Sequence, residues 1–204
     1  MVTFTAPNLY PLVETFHSLQ GEGAWAGTSA FFIRLGGCTV HCPWCDQKET
    51  WPLQGYPQQS PQQLGQLALI HRPQLVVITG GEPLLHNLSP LTTELHSLGL
   101  RCHLETSGAQ PLTGEFDWIT LSPKSYQPPL PDCYQHIQEL KVVIAQPEDL
   151  EWAEAQSERV AKGIPLYLQP EWSSVDIFQQ VFDYILANPQ WRLSLQIHKY
   201  LGVR

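Results

Sequence analysis

The 204-residue sequence predicts an α/β fold: a partial, open TIM-like barrel of about six parallel strands with some helices lost. Three observations predict it. Short apolar runs alternate with segments of helical period along most of the chain, the pattern of a parallel sheet covered by helices. The run Leu75–Thr79 is continuously apolar, as strands buried on both faces are. Glycine and polar residues gather just after the strand ends, where α/β barrels carry their chemistry. Too few helices fit for a closed eight-fold barrel.

Residues 9–17 partly alternate and read as an extended lead-in. The stretch Ser18–Gly27 holds Gly21, Gly23 and Gly27 around Gln20 and Glu22. It reads either as a plain hairpin turn or as a loop that contacts a ligand, because glycines allow close backbone approach. Ala30–Leu35 is a β-rich buried strand delivering Gly36-Gly37-Cys38. Its one charge, Arg34, is either salt-bridged or a fork for a carboxylate, whose geometry a guanidinium matches. Pro52–Gln63 is a loop leading into a helix that starts at Ser60-Pro61, with Gln63 completing a capping box. Leu64, Leu67 and Ala68 form the apolar face of that helix.

Leu75–Thr79 is the second strand and ends in Thr79-Gly80-Gly81-Glu82-Pro83. Ser89-Pro90 starts a helix with Leu91, Leu95 and Leu98 on one face and Gly99 as its stop. Arg101–Glu105 is a third strand, running into Thr106-Ser107-Gly108, and Trp118–Leu121 a fourth, running into Ser122-Pro123-Lys124. No convincing helix joins them. Residues 125–136 form a proline-broken loop. Leu140–Ile144, holding Lys141, is a fifth strand, and the helix Pro147–Lys162 carries acidic residues at its positive end. Leu166–Leu168 is a sixth strand, leading to Gln169-Pro170-Glu171. The helix Ser174–Ala187 presents Phe178, Val181, Phe182 and Ile185 as core residues, and Leu193–Ile197 is a last strand before His198–Arg204.

Composition excludes several functions. The formal net charge is -8 with 11 Lys and Arg and no basic run, which argues against nucleic acid and anionic membrane as partners. No apolar run approaches the roughly 18 residues of a membrane span. Met1–Pro11 lacks the pattern of a signal peptide. The cysteines number 5, with three clustered. That is no disulfide framework and points to a reducing, cytoplasmic setting.

The cluster reads Cys38-Thr-Val-His-Cys42-Pro-Trp-Cys45-Asp46. Three thiolates at this spacing can grip three irons of a [4Fe-4S] cubane and leave the fourth iron open to a small molecule. Cys38, His41, Cys42 and Cys45 could instead form a cramped zinc knuckle, or the thiols could hold no metal. The arrangement resembles that of radical S-adenosylmethionine enzymes, in which the residue before the third cysteine is aromatic, here Trp44. Alone, Gly-Gly-Glu-Pro is a turn; after a buried strand and downstream of the cysteines it resembles the glycine-rich motif of the same superfamily.

Seven segments narrow the match: Ser18–Gly23, Arg34–Cys38, Cys42–Asp46, Thr79–Pro83, Glu105–Gly108, Ser122–Lys124 and Gln196–Lys199. In this order they are similar to the 7-carboxy-7-deazaguanine synthase family, over nearly the whole chain. The resemblance implies one domain, 1–204, with an N-terminal extended substrate loop (9–27) and a C-terminal tail (198–204) closing the site. It implies a lyase that contracts the ring of 6-carboxy-5,6,7,8-tetrahydropterin and releases ammonia, in 7-deazapurine and queuosine biosynthesis. Cys38, Cys42 and Cys45 would hold the cluster. Trp44, Cys45, Asp46, Gly80, Gly81, Glu82, Ser122, Pro123 and Lys124 would surround S-adenosylmethionine, with Gln169, Pro170, Glu171 and Trp172 as a further contact. Leu19, Gln20, Gly21, Glu22, Arg34, Thr79 and Arg204 would bind the pterin, and Glu105 and His198 would face it as catalytic groups. Homodimers and an electron donor such as flavodoxin or ferredoxin are implied too.

The family has threonine or serine after Cys-Asp, where its oxygen helps hold Mg2+; this chain has Gln47. Either Mg2+ binds differently here, or the amide, a weaker hard-cation ligand than a carboxylate, replaces part of its role. Two other readings stand beside the lyase. A glycyl-radical activase would lack the Gln20–Gly23 pattern and the Gln196–Lys199 tail. A zinc-stabilised binding module would be colourless, where a cluster protein is brown.

Overall fold

The structure, a computed structural model, describes residues 8–204; of the Met1–Pro11 segment, residues 1–7 lie outside the described residues. Nine strands build one sheet: β1 Tyr10–Leu19, β2 Ser29–Leu35, β3 Gln58–Gln59, β4 Leu75–Gly80, β5 Cys102–Thr106, β6 Trp118–Leu121, β7 Glu139–Ile144, β8 Leu166–Pro170 and β9 Trp191–Leu193. Their order is β3-β1-β2-β4-β5-β6-β7-β8-β9. β2 and β4–β9 run parallel, while β1 is antiparallel to both β2 and β3. The ends β3 and β9 do not pair, so the barrel is open. The parallel part has seven strands, in line with the about six expected, and the lead-in is a full strand of 10 residues. The helices are α1 Pro61–His71, α2 Ser89–Ser97, α3 Glu148–Ser157, α4 Val175–Ala187 and α5 Ile197–Leu201. None of the five lies between β5 and β6 or between β6 and β7, where the sequence also shows no helical period.

Side-chain alternation sorts the sheet into two faces. Phe31, Ile33, Val76, Ile78, Leu104, Leu121, Leu140, Val142 and Leu168 point to the helix side, where they form the main core with Leu64, Leu91, Leu95 and Val181. The residues between them face the barrel interior. Near the N-terminal strand ends these are Ala30, Phe32, Leu75 and Val77. Toward the C-terminal ends they become Arg34, Thr79, Glu105, Lys141 and Gln169. The register holds them level: Arg34 lies beside Thr79, and Glu105 beside Thr120. A polar set on one face of buried strands therefore converges at one end of the barrel.

Three expectations shift. The last strand is Trp191–Leu193, not Leu193–Ile197, because fully buried Trp191, donating from Nε1 to Glu154 Oε1 at 2.7 Å, sets the phase two residues earlier. Ile197 then begins α5. The predicted helix to Lys162 ends at Ser157, where hydrogen bonds tighten to Gln156 O and Ser157 O from Arg159 and Val160. On α4 the buried stripe runs through Ile177 and Val181, leaving Phe182 51% exposed; on α1, Leu67 is likewise exposed, and Gly65 is buried against α2.

The capping box of α1 is present: Ser60 Oγ accepts from Gln63 N at 3.2 Å, and Gln63 Oε1 from Ser60 N at 2.8 Å. Loss of such a cap costs about 1 kcal/mol. Ser60→Ala is therefore expected to lower Tm by about 2–4 °C in a thermal melt. Among the described residues, no helix is long and apolar enough to cross a membrane.

Candidate active site

The C-terminal strand ends open into a pocket of about 510 Å³. The cysteine loop forms one wall. It leaves β2 through Gly36 and Gly37 and is tied down by Gly37 N–H to Thr50 O (2.8 Å) and Cys38 N–H to Trp51 O (3.2 Å). Cys45 N–H donates to Cys42 O at 3.0 Å, so the loop folds back and all three cysteines line the pocket as free thiols. Burial pushes the Cys45 thiol up, against a hydrogen bond from Gln47 N–H at 3.4 Å. Among the described residues, no three His, Cys, Asp or Glu side chains converge on a point for a single ion. A four-iron cluster does not require that, since each thiolate takes a different iron. A donor set of three cysteines on one concave loop fits such a cluster.

The Gly80-Gly81-Glu82 turn packs directly on this loop. Gly80 has φ 134°, and a Cβ there would strike the Leu35 backbone; one on Gly81 would strike Gly37 O. The N–H groups of Gly81 and Glu82 bind Leu35 O (3.0 Å) and Gly37 O (2.8 Å). Buried Glu82 accepts from Thr106 Oγ1 (2.6 Å), Ser107 N (2.8 Å), Ser107 Oγ (2.5 Å) and Leu84 N (3.1 Å). It joins the ends of β4 and β5. Beyond β6, Lys124 Nζ donates to Ser122 O and, at 2.8 Å, to Ser122 Oγ, with its charge 5.3 Å from the Trp44 ring. Burial pulls that ammonium below its ordinary range.

The opposite end of the pocket is a charged network. Gln20 Nε2 donates to Glu105 Oε1 at 2.9 Å, and Thr79 Oγ1 lies 3.5 Å from Glu105 Oε2. Lys141 Nζ pairs with Glu22 and sits 4.0 Å from Glu105 Oε1. Arg34 Nε binds Glu14 Oε1 at 2.8 Å. The remaining guanidinium nitrogens form no other ion pair among the described residues. Helix α5 and its approach border the rim. Ile197 N–H donates to Gly21 O at 3.0 Å, Gln196 Nε2 to Glu22 Oε1 at 2.9 Å, and Lys199 pairs with Asp46 at 2.7 Å. Arg204 pairs with Glu14 while its carbonyl accepts from Ser18 Oγ.

Thus Leu19, Gln20, Gly21, Glu22, Arg34, Thr79, Glu105, His198 and Arg204 line one pocket with Cys38, Cys42, Trp44, Cys45, Asp46, Gln47, Gly80, Gly81, Glu82, Ser122, Lys124 and Gln169. Pro123, Pro170, Glu171 and Trp172 do not line it. Glu171 bonds Ser173 and Ser174, and Trp172 packs edge-on to Tyr200 at 4.9 Å beneath Lys199. Glu14, Ser107 and Lys141 also line the pocket, outside the residues expected from the sequence. The signal for Lys141 was a lone cation in a buried strand; Glu14, in an alternating lead-in, gave none.

A model of the Radical SAM superfamily matches residues 32–140. A 7-carboxy-7-deazaguanine synthase of Synechocystis sp. is 63% identical over 195 residues, covering 96% of this chain and 94% of that protein. One from Flavobacterium psychrophilum is 43% identical (96% and 93% covered), and one from Escherichia coli K12 34% identical (95% and 99%). The crystal structure of QueE from Escherichia coli superposes with TM-score 0.82 at 33% identity, covering 93% of this chain and 95% of that one. With the cysteine loop, the glycine turn and the polar inner face at one end of an open barrel, the chain belongs to the 7-carboxy-7-deazaguanine synthase family of the Radical SAM superfamily.

Proposed function

We propose that this chain is a radical S-adenosylmethionine lyase converting 6-carboxy-5,6,7,8-tetrahydropterin to 7-carboxy-7-deazaguanine with release of ammonia. The observation that carries the reading is the pairing, in one pocket, of a three-cysteine wall with the Gln20–Arg34–Glu105–His198 end. When bound, the cluster and S-adenosylmethionine supply one-electron sulfonium cleavage and hydrogen-atom abstraction. Cys38, Cys42 and Cys45 would hold the cluster, with a low-potential donor such as flavodoxin or ferredoxin as its electron source. Trp44, Asp46, Gly81, Ser122 and Lys124 shape the cofactor cavity, while Glu82 positions its floor from below. Gln169 completes that cavity. Pro170, Glu171 and Trp172 act from outside the pocket wall.

At the other end, Glu105 accepts N–H bonds of the pterin ring, and Gln20 and Thr79 hold its carboxylate in place. His198 stands opposite, against Gly21, where a Cβ would overlap its ring. Residues 9–27, β1 and the glycine-rich turn after it, supply the substrate segment of a single domain, and the tail 198–204 closes over it. The substrate carboxylate is held by Arg34. A lysine lacks the two-pronged geometry of the fork. Arg34→Lys is therefore expected to raise KM about tenfold with a smaller change in kcat, equal to ~1.4 kcal/mol of binding.

Gln47 lines the pocket beside the cysteines, and its amide oxygen stands in part for the Mg2+ contact of relatives. Wild type is expected to gain less activity from a Mg2+ titration after chelation than Gln47→Thr does. Equal responses would remove Gln47 from that role. The function itself is tested by anaerobic reconstitution with iron and sulfide, then incubation with substrate, cofactor and reductant. Product is expected by mass spectrometry; a brown, cofactor-cleaving protein that leaves the pterin unchanged would favour the activase reading.

A further inference from the structure

We propose that Lys141 is a positioning residue for the substrate pocket: from the inner face of β7 it fixes Glu22, and through Glu22 the glycine-rich loop and α5. The inference rests on the functional reading above and extends it to a residue outside the expected site.

Lys141 is 4% exposed, yet carries its charge into the barrel interior. Its Nζ pairs with one oxygen of Glu22. The other Glu22 oxygen accepts from Gln196 Nε2 at 2.9 Å. Gln196 immediately precedes α5 and also receives Lys199 Nζ at 2.7 Å. A continuous polar chain therefore runs from β7 through the loop to the helix on the rim. Glu139, on the same face of β7, adds a second peg by accepting from Ala24 N–H at 3.0 Å. Gly23 leaves it room, since a Cβ there would overlap the Glu139 carboxylate.

The chain works only while Glu22 is a carboxylate. Burial pushes Glu22 up, but the charge and hydrogen bond of Lys141, joined by the Gln196 hydrogen bond and the His198 charge, outweigh it and hold Glu22 down to about 2. Burial likewise opposes the Lys141 charge, and Glu105, Glu22 and Glu139 outweigh it, so its pKa is raised. The other charges facing Glu22 are His198 from α5 and Lys124 from the loop after β6. Neither replaces the direct Lys141 pair. Without Lys141, only the Gln196 hydrogen bond and the His198 charge oppose burial at Glu22. Its pKa then rises, so its carboxyl protonates at higher pH than in wild type, one of its oxygens turns from acceptor to donor, and the tie to Gln196 weakens. The sign follows. Wild-type Glu22 does not titrate near neutrality. In the neutral variant the defect is largest at low pH and fades as pH rises through the raised pKa.

The test is KM and kcat for 6-carboxytetrahydropterin between about pH 6 and 9 in wild type, Lys141→Met, Lys141→Gln and Lys141→Arg. Both neutral variants are expected to show KM raised about tenfold or more near pH 6, with kcat changed by less than about threefold. That KM defect should shrink at least about threefold by pH 9, while Lys141→Arg keeps the flat wild-type profile. A neutral-variant defect of constant size across this range, or no defect, would overturn the proposal. So would failure of both neutral variants to fold beside a folded, fully active Lys141→Arg, which would make the charge purely structural. If wild type itself does not turn over the pterin, the functional reading fails instead.

Discussion

Cys42→Ala, reconstituted anaerobically with iron and sulfide, is expected to release no 5′-deoxyadenosine from S-adenosylmethionine. Cys38, Cys42 and Cys45 all face the same cavity, and each would ligate a different iron. Two thiolates leave two irons of a cubane without protein ligands, and the cluster is lost or rearranged. The same total loss is expected for Cys38→Ala and Cys45→Ala. Cys102 and Cys133 lie in the helix-side core, away from the pocket. Burial raises both thiols, Cys133 to about 11, so neither forms a ready thiolate. Their alanine variants should keep the brown colour and cofactor cleavage, at some cost in stability. Cofactor cleavage by Cys42→Ala would return the cysteines to the zinc or metal-free readings.

Glu82→Ala is expected to be the most damaging single change to the frame of the site. Four donors from β5, the turn after it and the turn after β4 converge on this carboxylate. Hydrogen bonds to a charged group each contribute roughly 1.5–3 kcal/mol, and buried donors left without partners add to the cost. The two hydroxyls can re-aim; the Ser107 and Leu84 N–H groups cannot. A loss of about 3 kcal/mol follows, or a Tm lowered by about 6–12 °C. Affinity for S-adenosylmethionine should fall as well, because Gly81 sits directly on the cysteine loop and depends on the same turn. A melt unchanged within about 2 °C would show that the carboxylate is not what joins β4 to β5.

The fold was legible where burial dictates the pattern. Continuous apolar strands and the Ser60–Gln63 cap state their structure locally, and the structure contains them. The last strand was misplaced because Leu193–Ile197 looks as extended as Trp191–Leu193. What separates them is Trp191 reaching Glu154 on α3, a contact 37 residues away. The exposure of Phe182 has a similar origin: a helical period fixes the apolar stripe only to within a residue, and packing chooses the side. In the site, motifs with unusual residues at fixed spacing could be read directly. Lys141 and Glu14 could not, since their partners Glu22 and Arg34 come from other strands and loops and only the register brings them together. Pro170, Glu171 and Trp172 show the converse. They close or follow a strand, as site residues do, yet Pro170 is buried as the last residue of β8 beside Ile144, Glu171 accepts from the Ser173 and Ser174 hydroxyls, and Trp172 packs on Tyr200 of α5.

The central claim is that one pocket couples cofactor cleavage at the cysteine wall to ring contraction at the Glu105 end. The most direct test is the stoichiometry of ammonia and 7-carboxy-7-deazaguanine formed by the anaerobically reconstituted wild-type protein. Equal amounts of the two are predicted, formed only when pterin, S-adenosylmethionine and reductant are all present. Cofactor cleavage that proceeds with the pterin present but yields no ammonia would contradict the account.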